Sequence, residues 1–487
     1  MAGLTEQQVD LIARRVVDRL AGGRIATNGP PQAGASDAQA PPPSELVEGV
    51  FADVDSAVQA AAAAQRELAG MTLRKREEIV ASIRRSMKAN CEVLARMTCE
   101  ETGMGRVEDK IVKNELVAEK TPGVEDLPPL ARSGDRGLML TEPAPFGVIG
   151  AITPITNATS TIICNTIGMV AAGNGVAFNV HPGAKRVSVH NVSLINRAIT
   201  GAGGPSNLVT TVAEPTIESA QALMRHPGVG LVVVTGGPGV VKEALQSGKR
   251  AICAGPGNPP VVVDETADLE QAGRDVVHGA SFANNVICVD EKTLIAVASI
   301  ADELLRYMKQ NGAVVLTPVQ ARQLERILFT ENRGPGKPSV VDKDLVGKNA
   351  EVILARIGVK VDSAVRLVVM ETEPDHPLVW TEQLLPVLPL VRVRTADEGI
   401  DLAVLSERGC RHTAAMHSKN LDNLSRMARV MDCSIFVKNA PAYAGLGAGG
   451  EGWSSFTIAS PTGEGLTRAR DFSRYRRCTL VDHFRIT

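Results

Sequence analysis

The chain contains no run of about 20 uninterrupted apolar residues, which is the length that a membrane-spanning helix needs. Its first residues also lack the apolar core of a secretory signal peptide. Lys and Arg (52) nearly balance Asp and Glu (54), so no overall field favours nucleic acid or an anionic membrane. We therefore expect a cytosolic protein, or one held inside a protein compartment, with neither nucleic acid nor membrane as its partner.

The eight cysteines follow no metal-binding or disulfide pattern, since the chain has no CxxC and no His/Cys pair at zinc-finger spacing. Disulfides and a structural metal are not expected. Cys288 stands in SFANNVICVDEKT, after the C-terminal end of a predicted helix, where the helix dipole does not favour a thiolate. A lone cysteine in a reducing compartment is most often a small buried hydrophobe. The local pattern therefore leaves Cys288 either a core residue or a nucleophile.

Residues 1–21 predict an amphipathic helix, because their apolar side chains recur at helical spacing. These side chains are Val9, Ile12, Val16 and Leu20. Residues 22–45 are rich in Gly, Pro, Ala and Ser, which predicts a flexible linker. Either the helix is presented on a tether to a partner, or it is a frayed terminal helix that docks on its own domain.

A change in the spacing of apolar residues along the chain predicts the fold class. From about residue 46 to 122 the pattern is helical. From 146 onward the short apolar runs FGVIGAIT, GVAFNV, NLVTTV and VGLVVVTG alternate with longer helical patterns, and a second alternating block runs from about 253 to 440. This alternation predicts an α/β protein with a parallel, doubly wound sheet, which binds nucleotides at the carboxyl ends of its strands.

Two strand-to-helix turns are candidate site elements. VVVTGGPGVVKEA places Thr235, Gly236 and Gly237 before a helix, where free N–H groups favour phosphate, although glycines also close turns without a ligand. In AITPITNATST, Asn157 opens the next helix. Its side chain either caps that helix or donates its NH₂ to an oxyanion at the strand end.

The chain resembles the aldehyde dehydrogenase superfamily in the order of its motifs, which are TPITN, TGGPG, AGPGNPPVVVD and EQLLPVLPLV. A cysteine also lies 34 residues after Ala254, as is typical of that superfamily. HPGAK, NNVICVDEK, HTAAMHS and GEGLTRARDFSRYRRC narrow the resemblance to the CoA-acylating propionaldehyde and acetaldehyde dehydrogenases of bacterial microcompartments. The similarity extends from about residue 46 to the C-terminus.

The resemblance implies an aldehyde dehydrogenase-like architecture. A Rossmann-type cofactor domain is expected over 46–252, completed by about 441–470. A catalytic α/β domain is expected over 253–440. Residues 131–145 and 471–487 are expected to form the β-arm through which members associate into dimers or tetramers.

The resemblance also implies the site residues and cofactors. Cys288 falls where the family has its nucleophile, Asn157 where it has the oxyanion amide, and Glu382 where it has the carboxylate that holds the nicotinamide ribose. The other cofactor-binding positions that it implies are Thr153, Pro154, Asn179, His181, Pro182, Thr235, Gly236 and Gly237. The cofactors are NAD and coenzyme A as co-substrate, with no metal.

One departure from the family concerns the acyl acceptor. Hydrolytic members carry a glutamate base 34 residues before the cysteine, and this chain has Ala254 there. Water, with a pKa of about 15.7, needs a positioned base to attack, whereas a thiol with a pKa of about 8.5 supplies thiolate unaided. The sequence therefore predicts CoA as acceptor. The alternative is a non-acylating aldehyde or semialdehyde dehydrogenase that releases a carboxylic acid.

A second departure concerns the adenosine pocket. Many members carry a lysine and, three residues later, a glutamate that hold the adenosine ribose, and this chain has Asn179 and Pro182 there. The preference between NAD and NADP is therefore left open. Lys185 or Arg186 would approach the 3′-phosphate of CoA, or both are solvated charges at a helix start.

The function implied is NAD-dependent oxidation of a short-chain aldehyde with CoA to acyl-CoA, within a microcompartment of the bacterial cytoplasm. The partners implied are the aldehyde, a shell protein that receives residues 1–21, and further copies of this chain. For His412 and His417, hydrogen bonding is favoured over acid–base work, because spacing assigns no partner carboxylate. Cys164 and Cys253 are expected to be structural.

Overall fold

The computed structural model describes residues 48–486, so the predicted helix at 1–21 and linker at 22–45 lie outside the described residues. The helices, numbered in chain order, are α1 Val54–Ala69, α2 Leu73–Ala89, α3 Cys91–Thr102, α4 Val107–Lys120, α5 Ala158–Ala171, α6 Lys185–Gly201, α7 Ile217–Arg225, α8 Pro238–Leu245, α9 Leu269–Ser281, α10 Ala298–Gln310, α11 Pro318–Leu328, α12 Ala350–Ala355, α13 Ala396–Glu407 and α14 Leu421–Met431.

The strands are β1 Val50–Phe51, β2 Leu130–Gly134, β3 Gly137–Pro145, β4 Val148–Ile152, β5 Gly175–Asn179, β6 Val209–Val212, β7 Val229–Thr235, β8 Ala251–Ala254, β9 Pro260–Val263, β10 Thr293–Val297, β11 Ala313–Val315, β12 Phe329–Glu331, β13 Val340–Val341, β14 Leu367–Glu371, β15 Val387–Val393, β16 Thr413–His417, β17 Ile435–Lys438, β18 Ile458–Ala459, β19 Gly465–Leu466 and β20 Ser473–Val481. The predicted α/β class and the strand–helix alternation from 146 onward are confirmed.

The first large sheet positions one half of the site. Its six parallel strands follow the order β1-β6-β5-β4-β7-β8. Every residue of β4 and β5 is buried, which explains why these strands read as continuous apolar runs. After β4 the chain adds β5 and then β6 on one side of β4, and it then adds β7 on the opposite side of β4. A strand order that reverses in this way leaves a crevice beyond the carboxyl ends of β4 and β7.

The second large sheet carries the opposite wall. Its seven parallel strands follow the order β11-β14-β15-β10-β9-β16-β17. The loop that leads from α9 into β10 contains Cys288, and the loop before β15 contains Glu382. Both residues therefore stand on connections into neighbouring central strands, since β10 pairs with β15.

A three-stranded antiparallel sheet stands apart from these two sheets in topology. Strand β3 lies between β2 and β20, and its pairing with β20 runs from Ser473 opposite Pro145 to Val481 opposite Gly137. Most of β2 and β20 is exposed. The predicted arm segments at 131–145 and 471–487 thus meet in one sheet, and their role in association stays a prediction.

Residues from the predicted 441–470 segment contact the first large sheet. Thr457 Oγ1 lies 2.8 Å from Thr235 Oγ1, and Thr462 Oγ1 accepts a hydrogen bond of 3.0 Å from the Cys253 N–H. The predicted domain boundaries themselves stay a prediction. Over residues 48–486, no helix combines the length and the apolar character needed to cross a membrane.

Candidate active site

A cavity of about 820 Å³ opens at the carboxyl ends of β4, β5 and β7 and reaches the loop before β10. All eleven predicted site residues line it. They are Thr153, Pro154, Asn157, Asn179, His181, Pro182, Thr235, Gly236, Gly237, Cys288 and Glu382. The folded chain thus brings into one cavity segments that are up to about 230 residues apart in sequence.

Cys288 follows a strained turn. After α9 ends at Ser281, Ala283 (φ 47°), Asn284 (φ 56°) and Asn285 (φ 65°) all adopt left-handed backbone conformations. This region is costly for residues other than glycine, and such strain persists only where surrounding contacts hold it. The Ala283 N–H donates to Asp109 Oδ2 at 2.9 Å. The turn presents Cys288 at the cavity, half-buried.

Lys292 stabilises the loop that contains Cys288 through hydrogen bonds to that loop. Its Nζ donates to the carbonyl oxygens of Asn285 (2.8 Å) and Ile287 (2.9 Å) and to Asn285 Oδ1 (2.6 Å). All three donors of the buried ammonium are therefore used within the loop. The sequence analysis did not identify this lysine, although the letters NNVICVDEK contain it.

The resting thiol of Cys288 is protonated. Burial raises its pKa to about 12, the Glu382 carboxylate adds to this effect, and the Lys292 ammonium opposes it. Burial also raises the pKa of the Glu382 carboxyl. The expectation from the sequence, that a helix C-terminus does not lower the pKa of this thiol, agrees with the structure. The main cause of the raised pKa is desolvation, which depends on the folded cavity.

Asn157 is the N-cap residue of α5, yet among the described residues its side chain makes no capping hydrogen bond. Instead, Oδ1 accepts a hydrogen bond of 2.7 Å from Lys113 Nζ, on α4. Of the two roles left open by the sequence, side-chain capping is thus not the one observed. No motif in the sequence singles out Lys113, although α4 carries three lysines, of which Lys110 and Lys113 lie one turn apart and are both 2% exposed.

The glycine-rich turn lies where predicted. Gly237 is the N-cap of α8, and no atom lies within 4 Å of the Cβ position of Gly237 or Gly239, so this side of the turn is open. The Gly236 N–H is used inside the sheet, donating to the Ala254 carbonyl at 3.1 Å. The turn therefore leaves space over the first residues of α8 for a ligand phosphate.

The end of the cavity that is predicted to hold adenosine is built from β5 and α7. Asn179 donates from Nδ2 to the Thr216 carbonyl at 3.3 Å and accepts from Ser219 at Oδ1. Its side chain is therefore committed to protein partners. Lys185 forms an exposed ion pair with Glu214. Lys185 does not line this cavity in residues 48–486, and its contact with the 3′-phosphate of CoA stays a prediction.

Arg186 behaves in the same way as Lys185. Its side chain lies at the surface, with Nε 3.8 Å from Glu101 Oε1, and it does not line the cavity within residues 48–486. Both residues are exposed charges at a helix start, and the contact with a CoA phosphate stays a prediction.

The loop after β8 lies between Cys288 and Glu382. The Gly257 N–H donates to Glu382 Oε1 at 3.1 Å. Ala254, the position at which the family resemblance implies a missing base, is the last residue of β8 and is buried, and the next two residues, Gly255 and Pro256, line the cavity. The wall beside the nucleophile is therefore formed by a loop without a side-chain base.

His412 lies behind this loop. Its Nδ1 is 2.9 Å from Thr413 Oγ1, and Nε2 is buried with no hydrogen-bond partner among residues 48–486. Burial lowers its pKa to about 3, so the ring is neutral near pH 7. His417 is buried in β16 with its pKa lowered to about 4. In residues 48–486 no group of three or more His, Cys, Asp or Glu side chains stands in a metal-binding arrangement.

Comparison with known proteins places this site in a family. The model of the aldehyde dehydrogenase family matches residues 44–467. The acetylating acetaldehyde dehydrogenase EutE of Salmonella typhimurium is 53% identical over 441 residues, which cover 90% of this chain and 93% of the relative. The CoA-propanoylating propanal dehydrogenase of the same organism is 46% identical, with coverage of 90% and 93%.

Solved structures agree. The propionaldehyde dehydrogenase from the fucose utilisation microcompartment of Clostridium phytofermentans superposes with a TM-score of 0.87 at 48% identity, covering 90% of this chain and 100% of that one. The Rhodopseudomonas palustris propionaldehyde dehydrogenase, solved with bound CoA and an acylated cysteine, gives 0.86 at 51% identity, with coverage of 89% and 98%. The chain belongs to the aldehyde dehydrogenase family, in the group of these CoA-acylating acetaldehyde and propanal dehydrogenases.

Proposed function

We propose that the protein oxidises a short-chain aldehyde with NAD and transfers the acyl group to CoA. One observation carries this proposal: a single cavity joins the Cys288 thiol and the Asn157 amide to the glycine-rich turn at Gly237 and to Glu382. A nucleophile, an oxyanion donor and a dinucleotide-binding turn at a switch point are the parts that this chemistry needs.

The cavity fits a dinucleotide. Its volume of about 820 Å³ lies in the range of cofactor sites, and the space at Gly237 and Gly239 is free for a pyrophosphate beside the first turn of α8. Thr153, Pro154, Asn179, His181 and Pro182 would line its nicotinamide and adenosine ends, and Glu382 would hold the nicotinamide ribose. NAD, when bound, supplies the hydride acceptor.

The first step joins the aldehyde to Cys288. Sγ attacks the carbonyl carbon, the S–C bond forms, and the carbonyl electron pair moves onto oxygen, which the Asn157 NH₂ and the Cys288 backbone N–H hold. The thiol proton must leave as the bond forms, because the resting pKa is about 12. The proton passes to solvent, since Glu382 would hold the nicotinamide ribose.

The later steps exchange one thiol for another. Loss of the hydride converts the thiohemiacetal on Cys288 into a thioester. The CoA thiol then attacks the acyl carbon, the bond to Cys288 breaks, and Sγ regains a proton. With Ala254 at the position of the missing base, water is a poor acceptor and the thiol of CoA is the competent one.

The location and assembly of the protein are proposed from its relatives. Two of these relatives act on acetaldehyde or propanal, which supports a two- or three-carbon aldehyde as substrate. Another comes from a bacterial microcompartment, which supports a microcompartment as the place of action. Residues 1–21 would bind a shell protein, and the β2-β3-β20 sheet, with its exposed strands, would join subunits into dimers or tetramers.

Product analysis tests the proposed reaction. The full-length protein is incubated with NAD and acetaldehyde, propanal or butanal, with and without CoA, and products are identified by mass spectrometry. We expect acyl-CoA and NADH in equal amounts. Carboxylic acid formed at the same steady rate without CoA would instead identify a non-acylating dehydrogenase.

Fusing residues 1–21 to a fluorescent protein tests the proposed contact with a shell protein. The fusion should co-purify with shells, whereas the fluorescent protein alone should not.

A further inference from the structure

A buried lysine stands directly behind the Asn157 amide. Lys113 belongs to α4, and its Nζ donates to Asn157 Oδ1 at 2.7 Å in a fully buried contact. The same Nζ lies 5.8 Å from the centre of the Phe456 ring, within cation–π distance. Lys113 does not line the cavity in residues 48–486, so it acts on the site only through other residues.

This contact decides which way the amide faces. Lys113 Nζ donates to the amide oxygen, so the oxygen is the amide atom that faces the lysine. The NH₂ group is thereby turned to the opposite side, where Asn157 lines the cavity beside Cys288. Nδ2 also donates a long hydrogen bond of 3.4 Å to the Thr156 hydroxyl, and Thr156 itself lines the cavity.

The contact also favours the charge that develops in the reaction. A hydrogen bond donated to the amide oxygen polarises the amide and makes its N–H a stronger donor. Since the site is buried, the dipole is oriented before the reaction begins. Burial lowers the pKa of Lys113, as does the Lys110 ammonium, so the effect is carried by the hydrogen bond, which a neutral amine also donates.

We propose that Lys113 is a positioning residue of the oxyanion site, which fixes and polarises the Asn157 amide so that its NH₂ meets the aldehyde oxygen. The proposal rests on the proposed function, because it assumes that Asn157 holds an oxyanion formed on the substrate. Lys113 touches neither substrate nor cofactor in this role.

Lys110 provides a matched control. It stands one turn earlier on α4, is equally buried, and donates to a backbone oxygen, that of Thr156, at 3.4 Å. Lys113→Met and Lys110→Met therefore each remove one buried cation from the same helix, but only the first releases the Asn157 side chain. Thermal unfolding of both variants measures the loss of stability that they share.

The test is a double-mutant cycle on the single-turnover rate of NADH formation, measured with propanal and NAD and without CoA. Lys113→Met should lower this rate at least about tenfold, since loss of one oxyanion donor costs on the order of 100-fold or more. In an Asn157→Ala background the same substitution should cost less than about twofold. Lys110→Met should show no such coupling to Asn157.

A second readout separates positioning from general damage. Alkylation of Cys288 by iodoacetamide, followed on its peptide by mass spectrometry, forms no oxyanion and should change by less than about threefold in Lys113→Met. Equal losses from Lys113→Met in both backgrounds would overturn the positioning role. If Asn157→Ala alone leaves the rate unchanged, the proposed role of Asn157 fails, and that result is distinct from additivity.

Discussion

Gly257 lies directly against Cys288. A Cβ atom on Gly257 would stand 2.6 Å from the Cys288 carbonyl oxygen, closer than real Cβ contacts, and 2.9 Å from Cγ of His412. The Gly257 N–H also donates to Glu382 Oε1. One residue without a side chain therefore sets the spacing between Cys288, Glu382 and His412.

Replacing this glycine should displace the nucleophile. Gly257→Ala is expected to lower the single-turnover rate of NADH formation at least about tenfold, because the added methyl group must push the Cys288 backbone away from its productive position. Gly201→Ala is the control, since no atom lies within 4 Å of its Cβ position. A Gly257→Ala enzyme with the wild-type rate would show that the contact is not needed for catalysis.

The protonated state of Cys288 can be measured directly. Because burial and Glu382 raise the pKa of this thiol to about 12, its alkylation rate in the ligand-free enzyme should rise about tenfold per pH unit from pH 7 to pH 9. Iodoacetamide labelling of the Cys288 peptide gives the rate. A free thiol with a pKa of about 8.5, measured in parallel, should level off. A plateau for Cys288 below pH 9 would mean that the thiolate is already formed.

Restoring a base should restore hydrolysis. Ala254→Glu puts a carboxylate at the end of β8, next to the loop that lines the cavity beside Cys288. We expect CoA-independent acid formation to rise severalfold, because water gains a base. Ala254→Gln has the same shape without the base and should not show the rise. Equal acid formation by the two variants would mean that the missing base is not what suppresses hydrolysis.

Buried His412 should make stability depend on pH. The pKa of this histidine is about 3 in the folded chain and near 6.5 when unfolded. As pH falls below 6.5, the unfolded chain takes up a proton that the folded chain refuses, so the free energy of unfolding decreases by up to about 1.4 kcal/mol per pH unit. Urea unfolding at pH 6 and pH 5 should show a smaller decrease for His412→Gln than for wild type. Identical decreases would place His412 in a solvated site.

The α/β fold can be predicted from the sequence, because parallel strands that are buried on both faces consist of continuous apolar residues. FGVIGAIT and VGLVVVTG became β4 and β7, the two strands that flank the crevice. Strand β1, two residues long, carries too short a pattern to be recognised and was missed within a segment that the sequence presents as helical. The site residues Cys288, Asn157 and Glu382 came from motif order, and their meeting in one cavity depends on both sheets.

The supporting residues could not be predicted in the same way. Lys113 reads as one of several charges on a surface helix, and only the packing of α4 against α5 reveals that it is buried and bonded to a residue 44 positions later. The protonation of Cys288 depends on desolvation inside a cavity, which no local pattern contains. For Lys185 and Arg186 the fold shows exposed ion pairs with Glu214 and Glu101, and their contact with a CoA phosphate stays a prediction.

The central claim is that Cys288 carries the acyl group and that CoA, rather than water, removes it. The most direct measurement mixes the full-length enzyme with excess propanal and NAD without CoA, and follows NADH and the mass of the Cys288 peptide. The account predicts a burst of about one NADH per subunit and a propanoyl group on Cys288 that disappears when CoA is added. Sustained NADH formation without CoA, with Cys288 unmodified, would contradict it.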